Sequence, residues 1–94
     1  MQMIEIEEKG REDGHSVFNV TVSDSAGRTH HRVTLSDETY TRLTNGSISH
    51  VACVDAAFRF LLEREAKTDI LPSFDINVIQ LYHANFEKEF GNYI

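Results

Sequence analysis

The sequence predicts a single α+β domain, built as a three-stranded antiparallel meander followed by helices that cover one of its faces. Three observations carry that prediction. Apolar and polar residues alternate with period two through the first 35 residues, the pattern of half-buried strands. Two short turn signals divide that stretch. The second half changes to helical spacing, with a serine before each of its first two apolar runs.

The first strand is expected at about 3–8, where Ile4 and Ile6 alternate with Glu5 and Glu7. Lys9 to Gly14 reads as a turn region, with Asp13-Gly14 its strongest signal. The second strand, about 16–23, sends Phe18, Val20 and Val22 to one face and Val17, Asn19, Thr21 and Ser23 to the other. Asp24-Ser25-Ala26-Gly27 is a tight turn that needs glycine for its positive-φ position. The third strand, about 28–35, puts Val33 and Leu35 on a face with Thr29 and His31. Arg28, His30, Arg32 and Thr34 take the opposite face.

A short helix is expected next, at about 37–44. Ser36 is its N-cap, Asp37 and Glu38 suit the positive end of its dipole, and Asn45-Gly46 stops it. Ser49 caps a longer helix to about 66. Val51, Val54, Ala57, Phe58, Leu61 and Leu62 share one stripe, and a second apolar arc holds Ala52, Cys53, Ala56 and Phe60. Only Asp55, Arg59 and Glu63 form a polar stripe, so this helix is expected to be covered on two sides. Pro72 ends the connection after it, and Asp75 then caps an amphipathic helix at about 75–90. Its inner face is expected to carry Ile76, Ile79, Tyr82, His83, Phe86 and Phe90, leaving Val78 and Leu81 outside.

Ninety-four residues support one core and leave little room for a deep, walled cleft. Nine Lys and Arg against fifteen Asp and Glu give a net charge of −6. That balance disfavours nonspecific nucleic-acid binding. One cysteine excludes an internal disulfide and a multi-cysteine zinc site. There is no basic, apolar leader and no membrane-length apolar run, so a cytoplasmic protein without a membrane span is expected.

No phosphate-cradling glycine loop, HExxH, CxxC or nucleophile-elbow pattern occurs, so no catalytic, cofactor-binding or metal residue is assigned and no enzyme is expected. His50 and Cys53 stand three apart on one helix and could meet as an activated thiolate or half a metal site. The simpler reading is a small core cysteine and a first-turn histidine. His30 and His31 are adjacent on a strand and cannot chelate together. His83, on an apolar face, reads as a hydrogen-bonded core or interface residue.

Two resemblances add to this reading. The stretch Arg32-Val33-Thr34-Leu35-Ser36-Asp37-Glu38-Thr39-Tyr40-Thr41-Arg42-Leu43, with Ser49 and an Ala/Leu-rich helix after it, resembles the ribbon-helix-helix family of DNA-binding repressors and antitoxins. That resemblance, over about a third of the chain, implies a DNA-binding regulator with Arg28, His30 and Arg32 on its reading face. The run Val54-Asp55-Ala56-Ala57-Phe58-Arg59-Phe60-Leu61-Leu62-Glu63-Arg64-Glu65, with Ile70-Leu71, Ser73-Phe74-Asp75-Ile76 and Val78-Ile79, is similar to short bacterial proteins of uncharacterised function. It implies a bacterial, stand-alone origin and no activity.

The functional expectation rests on a surplus of apolar side chains, more than three strands can shelter. The chain is therefore expected to act as a protein–protein interaction module that binds a partner or itself, as a homodimer or higher oligomer. Phe60, Val78, Leu81, Phe90 and Tyr93 are the expected interface residues.

Overall fold

A computed structural model describes residues 2–94. It is an α+β fold whose first three strands form the expected meander: β1 (Met3–Glu12), β2 (His15–Asp24) and β3 (Gly27–Ser36). Asp13 and Gly14 both take positive φ, 49° and 79°, and close the first hairpin in two residues. Because the turn is that tight, β1 runs on to Glu12 rather than stopping near residue 8. A bulge between Glu8 and Gly10 absorbs the extra residue and bends the strand. Beyond the bulge, the Arg11 guanidinium reaches Ser16 Oγ at 3.1 Å and the Asp37 carboxylate at 2.7 Å. At the second turn Gly27 has φ 137°, and the Asp24 carboxylate accepts from the Ala26 N–H at 2.9 Å.

The alternation resolves as expected. Phe18, Val20, Val22, Val33 and Leu35 are fully buried on the inner face, with Ile4 and Ile6 packed beside them. The outer face carries Glu5, Glu7, Asn19, Arg28, His30 and Arg32, all exposed. Val17 is the exception, buried although it lies on that outer face.

Both serine caps form. Ser36 Oγ accepts from the Thr39 N–H and starts α1 (Asp37–Thr44); Ser49 Oγ accepts from the Ala52 N–H and starts α2 (His50–Leu62). Asn45 takes the left-handed conformation that ends α1. Helix α2 is covered on two sides, as its sequence requires. Phe58 faces the sheet side, its ring tilted against His31 and Phe74 at 5.5 and 5.9 Å between centroids. Phe60 faces the C-terminal segment, edge-on to Phe86 at 5.0 Å, His83 at 5.7 Å and Tyr93 at 5.8 Å. The Arg64 guanidinium lies over the same ring at 3.7 Å.

Helix α2 stops at Leu62, short of the expected end near residue 66, where the Arg64 and Glu65 N–H groups both turn back to the Leu61 carbonyl. Two larger features also differ from the sequence expectation. First, the sheet has four strands in the order β1-β2-β3-β4, and β4 (Ser73–Asp75) runs parallel to β3. The Arg32 N–H donates to the Pro72 carbonyl at 2.8 Å, and the Thr34 hydroxyl donates to the Asp75 carboxylate at 2.6 Å. His31 draws the chain in just before β4, its Nδ1–H donating to the Leu71 carbonyl at 2.7 Å.

Second, the expected 75–90 helix is broken. Asp75 does cap, accepting from the Asn77 N–H at 2.9 Å, but the chain then runs through a 3-10 turn (Ile76–Val78), α3 (Ile79–Tyr82), α4 (Phe86–Glu89) and a final 3-10 turn (Phe90–Tyr93). His83 leaves the helical region at φ −132°, ψ 90°. A straight 16-residue helix would extend ~24 Å, longer than the ~20 Å of α2 beneath it. Breaking it at His83 lets Ile76, Ile79, Phe86 and Phe90 all reach the one core.

Candidate functional site

The break at His83 has a consequence at the surface. Tyr82, just before it, joins Leu81 at the surface, and Leu81 and Tyr82 are 81% and 69% exposed. Beside them runs an apolar groove of ≈ 310 Å³. Leu61 of α2 forms its floor together with Ile70. Leu71 and Phe74 line it from the connection into β4; Val78, Ile79 and Tyr82 line it from the helical turns beyond that strand. Leu71 is 43% exposed on its rim. Glu65, Asp69 and His83 are its polar lining residues. The His83 Nε2 and the Glu65 carboxylate pair at 2.7 Å, both half-buried.

The five interface residues expected from sequence separate into two groups. Phe60 and Phe90 are buried in the chain's own core, because the C-terminal segment folds back on α2. They are therefore not part of an exposed surface. Tyr93 is half-buried against that core, its hydroxyl donating to the Glu63 carboxylate at 2.9 Å. Val78 lines the groove and Leu81 projects beside it. Tyr82, placed on the buried side by the helical periodicity, belongs with them. Leu71 is a groove residue outside the sequence expectation. Its one signal is the adjacent pair Ile70-Leu71, since no single helix or strand face buries two neighbours, and here Ile70 turns in and Leu71 out.

Arg28, His30 and Arg32 do stand on the outward face of β3, all exposed. The stripe is partly spent internally. Arg32 is ion-paired to Glu12 at 2.8 Å, and His30 hydrogen-bonds Thr21 at 3.2 Å. Glu5 and Glu7 share the same face. Strand β3 is also interior: β2 holds one edge along its length and β4 holds Arg32–Thr34 of the other. A ribbon formed with a second chain through this strand would have to displace β4.

His50 and Cys53 do not form a reactive pair. The His50 ring stacks on Tyr40, with centroids 3.8 Å apart and planes 11° from parallel. Cys53 is fully buried, and desolvation pushes its thiol pKa up to about 11, so it stays protonated at neutral pH. Two carboxylates with lowered pKa lie away from the groove. Lys67, hydrogen-bonded at 3.0 Å, holds Asp24 below the usual carboxylate range, and Arg11 does the same to Asp37. Among the described residues, no group of three or more His, Cys, Asp or Glu gathers where it could hold a metal ion. No helix among them is long and apolar enough to cross a membrane.

The class of protein that the fold and site define is an α+β domain with an apolar groove open to solvent. No protein-family model, curated protein or solved structure matches the chain.

Proposed function

We propose that this protein is a non-enzymatic interaction module of the bacterial cytoplasm, which docks another polypeptide chain, a second copy included, through the groove bounded by Leu71, Val78 and Tyr82. The single observation that carries the reading is the exposure of Leu81 and of its chain neighbour Tyr82, which lines an apolar concavity. Contiguous apolar surface of this kind is what protein interfaces use, whereas scattered single residues are not. The outer sheet face offers no comparable patch, since Glu5, Glu7, Arg28, His30 and Arg32 dominate it.

The test is photocrosslinking in living cells, with a benzophenone amino acid at position 81 and, as control, at the exposed Glu5. The proposal expects a discrete adduct from position 81 alone. An adduct at twice the monomer mass would identify a second copy; any other defined mass would identify a different partner. Equal, diffuse or absent crosslinking from both positions would sink the reading.

A further inference from the structure

We infer that the groove takes a cationic amphipathic segment of a partner protein, with apolar side chains in the cavity and a Lys or Arg against Glu65 and Asp69. This rests on the docking reading above and narrows the occupant. Three features point to it. The cavity is near the lower end of the ~300–1,000 Å³ range of ligand pockets, so it admits a few side chains rather than a folded surface. Leu81 is exposed and lies outside the cavity lining, next in the chain to the lining residue Tyr82, so a small molecule filling the groove would leave it uncovered, whereas a helix or extended segment is long enough to cover both.

Charge supplies the third. The groove lining includes two carboxylates, Glu65 and Asp69, and among the described residues Asp69 makes no ion pair. The neighbouring cations are committed elsewhere. Lys67 is held by Asp24 at 3.0 Å, and Arg64 by Glu89 at 2.7 Å. His83 pairs with Glu65 at 2.7 Å and leaves Asp69 without a cation. The whole chain carries −6, so a second copy would bring like charge to an acidic rim. A cationic segment meets complementary potential instead, which both steers and selects it.

The test uses fluorescence anisotropy with two labelled helical peptides. One has leucines at i, i+3, i+4 and i+7 flanked by lysines; the other has glutamate in place of every lysine. The inference expects the lysine peptide to bind with a Kd at least roughly tenfold lower than its glutamate counterpart. It also expects Leu81→Ser to weaken that binding. Asp69→Asn should weaken it more than Glu5→Gln, which changes the net charge equally but lies on the outer sheet face. All three positions are exposed, so the variants should fold. Equal affinity for both peptides, or equal effects of Asp69→Asn and Glu5→Gln, would overturn the cationic assignment and leave the docking reading standing. So would a dimer in sedimentation that Leu81→Ser dissolves. No binding of either peptide, with no crosslink from position 81, would remove both.

Discussion

Replacing Phe60 with leucine tests whether the C-terminal segment rests on α2 within one chain. Leucine keeps most of the apolar area but gives up the ring's edge-on geometry to His83, Phe86 and Tyr93 and its stack beneath Arg64. Aromatic pairs contribute ~0.5–1.5 kcal/mol each beyond area, and an exposed cation–π contact ~0.5–1 kcal/mol. These terms do not add, because leucine recovers part of the dispersion, so the expected net loss is about 2 kcal/mol. A 94-residue domain has roughly 5–14 kcal/mol of stability in total, so the variant should fold and remain measurable. The Tm should fall by about 8–16 °C. Urea denaturation of Phe60→Leu, Phe86→Leu and the double variant closes a cycle. Coupling of about 1 kcal/mol is expected for two rings 5.0 Å apart. A loss under about 0.5 kcal/mol with zero coupling would mean that the last segment does not pack on Phe60 in solution, and the cis arrangement would be wrong.

The same geometry sets three further outcomes. Leu81→Ser and Tyr82→Ser should each change stability by no more than about 0.5 kcal/mol in urea melts, because neither side chain is buried; a larger loss would mean that they are core residues. Cys53 should resist a neutral alkylating reagent in the folded protein and react only on unfolding, a comparison that mass spectrometry makes directly, since its thiol is buried and its pKa raised to about 11. Asp24 has a depressed pKa in the folded state, so its contribution to stability is present above the ordinary aspartate pKa of ~3.9 and fades as pH falls through the folded value. Asp24→Asn should therefore lower Tm at pH 7 and flatten the acid limb of a Tm-versus-pH curve below about pH 4, and an unchanged limb would remove Asp24 from the account.

Much of the architecture is legible in the sequence because it is locally encoded. Ile4, Ile6, Phe18, Val20 and Val22 alternate because one sheet face is buried, and Ser36 and Ser49 mark helix starts because their hydroxyls satisfy N–H groups that have no partner inside the helix. Strand β4 is not legible. Three residues after Pro72 carry no period, and the groups that place them are distant: the His31 ring holding the Leu71 carbonyl, and Thr34 holding Asp75. The final helix misleads for a related reason. Ile76, Ile79, Tyr82, His83, Phe86 and Phe90 fit one helical face on paper, but the core is too short to bury that face straight. The chain breaks at His83, whose ring is taken by Glu65 and Phe60. That break decides the candidate site. It turns Tyr82 outward with Leu81 and opens the groove, so helical spacing picks out Val78 and Leu81 but puts Tyr82 on the wrong side and passes over Leu71.

The most direct test of the docking surface uses the inertness of Cys53. A single Leu81→Cys substitution, in protein expressed at its natural level, gives one reactive thiol against a silent background. Its maleimide alkylation rate is compared between purified protein and intact cells, normalised to Asn92→Cys, also exposed. Occupancy of the groove predicts rapid labelling when pure and at least roughly tenfold slower labelling in cells, since shielding by a bound partner scales with the fraction occupied. Equal normalised rates in the two settings would contradict the account.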